Sequence, residues 1–388
     1  MLRYLLPSPK RPFLLSCLFF VFLLCLFPLK IKDGMVDFRV DYKAGQRLWR
    51  GETLYRVDDG HFRYKYAPAA AVLEAPFSRL PLEIAKFVFY MVLAACIVGI
   101  FATSYTFLPA AERSLSIPVF TFLILAKYLF RELYLGQINV IITLLLLLMI
   151  RCLNAGVQEH ARPQGVYAGG LWAVATILKP HALIFLPYLM VRQQGWALLS
   201  GLCGLALAFW VPVPIYGFAG NIARHQEWLA TLSQSTPELL SHHDIISIIN
   251  LWIKWTGQPQ LAFWLSLVVI ACLAAGVLML IFKTGHVDQP MVLEGAVLLT
   301  LIPLITPLGW YNMLLMSVLG IMLVLHHYPV WSRFWRMGLV ANLCIIALSI
   351  YDLMGNAFYH WFMEQAILTL SMLFLVGYLA SLRWQHRA

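Results

Sequence analysis

Asp37 and Asp41 lie four residues apart in Val36 to Gly51, a stretch whose spacing predicts a helix of about four turns closed by Gly51 at the left-handed cap position. At about 100° per residue, Arg39, Lys43, Arg47 and Arg50 share one narrow stripe, and Phe38, Ala44, Gly45, Leu48 and Trp49 lie opposite. The two aspartates project from the less polar side. A carboxylate so placed is costly unless something uses or neutralises it. Asp37 is therefore a candidate general base, with a cap or a pair to Arg63 or Lys65 as its structural alternative. For Asp41 a structural salt bridge stands level with a catalytic part.

A second centre is Leu178-Lys179-Pro180-His181, set between two short apolar runs. An ammonium beside a broken helix can bind an anionic group, aided by the free amides of a half-helix; snorkelling to the interface is the alternative for Lys179. Lys127, Arg131, Glu132, Gln137, Asn139 and His181 also fall at or near membrane depth. Arg131 can help hold a phosphate, or with Glu132 form a local pair that ends a helix. Gln137 and Asn139 can join helices by hydrogen bonds. The segment Gly60 to Pro68 interleaves Phe62, Tyr64 and Tyr66 with Arg63 and Lys65. It can stack on a sugar while its cations meet phosphate, or belong to an aromatic membrane belt.

Such groups need elements to hold them, and composition says which. The chain has 388 residues, 61% hydrophobic and 12% charged, with mean hydropathy +0.77, where a soluble protein carries about 25% charged residues. Only a bilayer accepts that much apolar area, so the expected fold is all-α: a polytopic transmembrane helical bundle of roughly ten to twelve spans. Soluble enzyme domains, disordered chains and nucleic-acid modules are excluded, and long apolar runs do not suit a β-barrel. Spans are expected near 12–30, 84–105, 115–131, 137–152, 166–178, 180–192, 195–215, 260–283, 290–306, 309–327, 336–353 and 362–382, in one integral membrane domain covering 1–388.

Arg3, Lys10 and Arg11 before the apolar run Pro12–Leu29 give the shape of a secretory signal, and without a small-x-small cleavage site it reads as a retained anchor. With the amino end inside, Arg113, Arg151, Arg162, Arg192, Lys283, Arg333, Arg336, Arg383 and Arg387 all fall on the cytoplasmic side. Both termini are then cytoplasmic, in a cell inner membrane, and the longer segments 31–83 and 216–259 lie outside. Residues 31–83 hold nine cations and eight carboxylates, so the outer face is where polar chemistry concentrates. Gly165 and Gly169 form one GxxxG, which more often marks close helix packing than function.

Several chemistries leave no trace. The seven cysteines show no C-x-x-C spacing, which argues against a disulfide framework. His242-His243 and His326-His327 are adjacent pairs whose side chains would diverge on a helix, no H-x-x-x-H occurs, and no metal is expected. No P-loop, G-x-S-x-G or D-x-D is present, and no cofactor is implied. No D-x-D is present to hold a cation for a nucleotide diphosphate, whereas a donor with one phosphate can be neutralised by Lys and Arg instead.

The sequence resembles the bacterial polytopic glycosyltransferases of GT-C type that use polyprenyl-phosphate sugars, and most closely the GT87-like α-mannosyltransferase family. The similarity is carried by Asp37-Phe38 with Tyr42, Ala44, Gly51 and Tyr55; by Tyr66, Pro68 and Pro76; by Leu135-Gly136-Gln137-Ile138-Asn139; by Leu178-Lys179-Pro180; and by Thr306-Pro307-Leu308-Gly309-Trp310. The resemblance places the catalytic carboxylate on Asp37 and implies transfer with inversion from a polyprenyl-phosphate sugar to a glycolipid or glycan acceptor. Asp41 is a second catalytic candidate, and substrate contacts are expected at Lys179, Arg131, Tyr42, Arg63, Tyr66, Gln137, Asn139, His181, Trp310 and Asn312. One departure is Trp310-Tyr311-Asn312, where the family pattern has a histidine; an amide hydrogen-bonds but cannot shuttle a proton. The rival from another class is a transporter or lipid-linked-sugar flippase, which would also use intramembrane charges and a broken helix.

Overall fold

The computed structural model describes residues 11–159, 162–283 and 289–385; Arg3, Lys10 and Arg387, counted in the charge asymmetry, lie outside them. Among the described residues there is no strand, only an isolated antiparallel bridge between Ile245 and Trp310. The backbone is helical because hydrocarbon offers no partner for its N–H and C=O groups, and only a helix satisfies them within one segment.

In chain order, α1 (Arg11–Leu26) runs on through a π turn to Ile31 and is followed by α2 (Val36–Trp49), α3 (Pro68–Glu74), α4 (Leu82–Thr106), α5 (Ser116–Leu135), α6 (Asn139–Glu159) and α7 (Arg162–Leu178). After a 3-10 turn at Pro180–Ile184 come α8 (Phe185–Val191), α9 (Gly195–Trp210), α10 (Val213–Leu239), α11 (Ile248–Thr256), α12 (Pro259–Phe282) and α13 (Pro290–Ile305). The chain ends with α14 (Val318–His326), α15 (Arg333–Leu348), α16 (Tyr351–Met354), α17 (Asn356–Glu364) and α18 (Ile367–Gln385).

Every expected span returns as helix, but with unequal reach. Five are long and apolar enough to cross a membrane unaided, and α9 with α10, bent by 94°, can make a sixth. Others, such as α13 with 16 residues, are apolar and shorter, reaching about 24 Å at 1.5 Å per residue against a core of ~30 Å. The segment 216–259 is not an open loop: most of it is α10, turned at Gly217 (φ 69°), and α11.

Gly165 and Gly169 do what small residues do at helix contacts. A Cβ on Gly169 would lie 2.1 Å from the Ala197 carbonyl oxygen, and one on Gly165 would lie 2.8 Å from Trp196 Cβ. With Gly201 against the Trp172 ring, α7 and α9 meet nearly backbone to backbone. That seam fixes the chain just before Lys179.

Candidate active site

The site is built where the entry to α2, the α5–α6 connection and the break after α7 come together. Helix α5 closes on Gly136, in the left-handed region (φ 71°), whose N–H donates to the Glu132 carbonyl at 2.9 Å. A side chain there would both strain the backbone and place a Cβ 2.8 Å from Phe38 Cβ. The entry to α2 is as close: Met35 N–H donates to the Tyr134 carbonyl at 2.6 Å, and a Cβ on Gly34 would sit 2.5 Å from the same oxygen. Met35 itself is fully buried at φ 58°, a conformation costing about 1–2 kcal/mol that the surrounding packing offsets. The first turn of α2, with Asp37, is thereby pressed onto the α5–α6 connection.

The face of α2 predicted to turn inward does so: Phe38, Asp41, Ala44, Gly45 and Leu48 are buried. Trp49 is the exception. Its indole N–H reaches the Ala75 carbonyl at 3.0 Å, Arg79 stacks over its ring at 3.8 Å, and it stays half exposed. Arg47 leaves the basic stripe to bond Asp59 with both terminal nitrogens, at 2.5 and 2.7 Å.

Asp37 Oδ2 accepts from Gln137 Nε2 at 2.5 Å. Gln137 Oε1 accepts from Lys179 Nζ at 3.0 Å, and the same ammonium donates to Asn139 Oδ1 at 2.8 Å. Asn139 Nδ2 donates to Glu132 Oε1 at 2.8 Å, and Asn312 Nδ2 donates to that same oxygen. The polarity of each amide is dictated by its neighbours, since a carboxylate only accepts and an ammonium only donates. Two amides thus join two acids to one amine in a continuous string, Asp37, Gln137, Lys179, Asn139, Glu132, Asn312. The break after α7 serves it: Lys179 is extended (φ −148°), between a helix end and a 3-10 turn opened by Pro180, and its ammonium lies 5.4 Å from the centre of the Tyr66 ring.

Asp41 and Glu74 lie beside the string, both buried, and both within electrostatic reach of Lys179. Asp41 forms no ion pair within 4 Å among the described residues. Burial pushes its carboxyl well above the usual carboxylate range, reinforced by Glu74 and then Asp37 and opposed by Lys179. Glu74 is raised by burial as well, against the hydrogen bond from Tyr64 (3.0 Å) and the Lys179 charge. Beside a single ammonium, burial favours the protonated forms of Asp41 and Glu74.

The remaining expected residues distribute as follows. His181 is half-buried, its Nε2 shielded and without a hydrogen-bond partner among the described residues. Tyr42 donates to the Leu80 carbonyl at 2.8 Å, away from the string. Arg63 reaches Gln234 at 3.5 Å, Arg131 stacks 5.9 Å from the Tyr134 ring, and Trp310 packs against His242 at 4.9 Å. Lys127 donates to the Ser349 carbonyl and hydroxyl. The expected Arg131–Glu132 pair is not formed, because Glu132 points inward to Asn139 and Asn312 while Arg131 turns to an aromatic ring. Glu132 and Glu74 are thus site groups that sequence spacing did not assign. The signal available for Glu132 was its place one turn before the cap glycine that leads into Gln137 and Asn139; Glu74, in Pro-Ala-Ala-Ala-Val-Leu-Glu, offered none.

His242, His243 and Asp244 can be grouped as metal ligands, their ligand atoms within 4.8 Å of one another. They occupy a turn, not a helix, so the two histidine rings stack at 4.4 Å instead of diverging. A divalent cation fits poorly there: His242 Nδ1 already accepts the Asp244 N–H at 3.2 Å, and the Lys254 ammonium sits on the His243 carbonyl at 3.0 Å.

Fold and site together define a multi-pass α-helical membrane protein with a buried ionic string. The chain belongs to glycosyltransferase family 87, whose model matches residues 64–307, and it is a membrane glycosyltransferase. The matched stretch contains Glu74, Glu132, Gln137, Asn139 and Lys179, and begins after Asp37. A curated relative, the alpha-(1->3)-arabinofuranosyltransferase of Mycolicibacterium smegmatis, is 25% identical over 313 residues, covering 76% of this chain and 69% of the relative. No solved structure matches the chain.

Proposed function

We propose that the protein transfers a sugar from a polyprenyl-phosphate donor to a glycolipid or glycan acceptor on the outer face of the cytoplasmic membrane, with both termini inside. A pentosyl group is favoured over a hexosyl one by the arabinofuranosyl relative. Asp37 takes the proton of the acceptor hydroxyl as its oxygen attacks the anomeric carbon. The bond from that carbon to the phosphate oxygen breaks with inversion, and polyprenyl phosphate departs carrying the electron pair. Lys179 stabilises the growing phosphate charge, the kind of preorganised electrostatic contribution that acts most strongly out of water.

The observation that supports this best is the Asp37–Gln137–Lys179 bridge, which sets a base and a cation on either side of one amide. Asp41 and Glu74 serve as neighbours that hold a proton and keep Asp37 basic. The direct test incubates purified protein with polyprenyl-phosphate arabinose, or its mannose counterpart, and an alkyl glycoside acceptor. Glycosylated product that disappears in Asp37→Asn is expected; full activity in that variant would refute the assignment of the base. Movement of the lipid-linked sugar across a vesicle without product would favour the flippase reading.

A further inference from the structure

A cleft of about 560 Å³ opens where the end of α11 faces the end of α17, lined by Lys254, Trp255, Glu364 and Gln365. That volume lies within the range of ordinary small-ligand sites, roughly 300–1,000 Å³. Lys254 is fixed by donating to the His243 carbonyl at 3.0 Å and the Ile245 carbonyl at 3.1 Å, which leaves one of its three N–H donors. Asp244 and then Glu364 lie within its electrostatic reach, yet neither makes an ion pair with it within 4 Å among the described residues. Trp255 is 47% exposed and donates its indole N–H to the Gln365 carbonyl at 3.3 Å. The next residue, Ala366, is held at φ 54°, a strained conformation of the kind that clusters at ligand sites.

An ammonium with one N–H left and a carboxylate that line the same cleft without an ion pair, beside an indole and a primary amide, select a narrow ligand chemistry. An anion would meet Glu364, a cation would meet Lys254, and an alkyl chain would strand both. A sugar hydroxyl both donates and accepts, so it satisfies the two charges at once, while the C–H face of the ring packs on the indole.

The cleft is coupled to the ionic string through one short segment. Ile246 N–H donates to the Gly309 carbonyl at 2.8 Å and Tyr311 N–H to the Asp244 carbonyl at 3.0 Å, and the adjacent Asn312 bonds Glu132. The link runs to the residue beside Asn312, which closes the string at the end away from Asp37. We infer that this cleft is an acceptor subsite for a neutral sugar unit remote from the hydroxyl that reacts, and hence that the acceptor is an oligosaccharide and not a single sugar. The inference rests on the glycosyltransferase assignment and deepens it.

The test compares octyl mono- and tri-α-arabinofuranosides, with the mannosyl pair in parallel, as acceptors for the full chain in detergent. In the wild type the trisaccharide should exceed the monosaccharide in kcat/KM by about tenfold or more, from the contacts of one extra sugar unit. Trp255→Ala and Glu364→Gln should collapse that advantage with the monosaccharide rate unchanged. A length advantage that survives in both variants overturns the subsite. Saturation-transfer NMR of the two trisaccharides against the protein without donor gives a readout independent of turnover. Saturation of sugar protons that is lost in Trp255→Ala, and kept in Trp255→Phe, supports the cleft even if no donor is turned over. Failure of both trisaccharides to bind the wild type overturns it, whatever the fate of the transfer assay.

Discussion

Gln137 donates to Asp37 at 2.5 Å across 100 positions of chain, and this single bond ties the first long inter-helix segment to the α5–α6 connection. Because Gln137 presents its oxygen to Lys179, its nitrogen must face Asp37, so the aspartate is aimed by an ammonium it does not touch. Replacing Asp37 by Asn keeps the shape and removes the proton acceptor. Transfer should fall about 10²–10⁴-fold, while equilibrium binding of radiolabelled donor stays near the wild-type value. Comparable loss of both would make Asp37 a structural residue.

Lys179→Met should lower donor kcat/KM roughly 10²–10³-fold by removing the cation that meets the leaving phosphate. It should also lower stability by roughly 3–5 kcal/mol, because Glu132 loses the charge that offsets its burial. Steady-state kinetics and thermal unfolding of the same preparation check both. Unchanged stability would mean that the string is not ionised.

The pH dependence of folding has a determinate sign at Asp41 and Glu74. Both carboxyls are raised in the folded protein, so the fold favours their protonated forms. Their contribution is fully present below their unfolded values, 3.8 and 4.5, and is lost as the pH rises through the higher folded values. Asp41→Asn and Glu74→Gln should flatten this decline in a series of melting temperatures from pH 4 upward. Asp59 has the opposite sign: the hydrogen bond from Arg47 holds it below its usual range, so its contribution is present above 3.8 and fades as the pH falls through its lower folded value. A melting series for Asp41→Asn parallel to the wild type would count against the buried pair.

Gly136→Ala should cost about 1–2 kcal/mol from the left-handed backbone alone, and its Cβ would push Phe38 and with it the first turn of α2. Transfer should fall further than the loss of folded protein explains. Gly170→Ala is the control in a helix interior, since its Cβ meets nothing within 4 Å, and it should be neutral or stabilising by about 0.5–1 kcal/mol. Equal behaviour of the two variants in activity and melting would refute the close fit of α2.

Much of this architecture is legible in the residues. Apolar runs disclose the helices because each must satisfy its backbone alone in lipid. A period of 3.6 turns Asp37 and Asp41 to the inner face of α2. Proline after Lys179 discloses the break. What spacing does not disclose is which side of a largely apolar helix meets protein and which meets lipid, as in the α6 run Leu144–Ile150, where every residue is apolar. Glu132 is assigned to Arg131 by adjacency, although helix neighbours one position apart do not face each other. Its pairing with Asn139 spans the α5–α6 turn, and that with Asn312 depends on segments brought together from 180 positions apart. Glu74 is hidden for the same reason, as its partners Tyr64 and Asp41 belong to other elements.

Helix α10 is roped to the stretch before α4 by three hydrogen bonds of 2.9 Å or less, Trp228 to the Lys65 carbonyl, Tyr216 to the Glu52 carbonyl, and the Thr53 hydroxyl to Glu227, with the longer Arg63–Gln234 contact as a looser fourth. The two pieces are therefore one module split by the chain from Leu82 to the start of α10 at Val213. A chimera that imports residues 36–80 from a cousin while keeping the native 213–239 would mismatch all three knots. Exchange of specificity between members of the family has to move both pieces as a set.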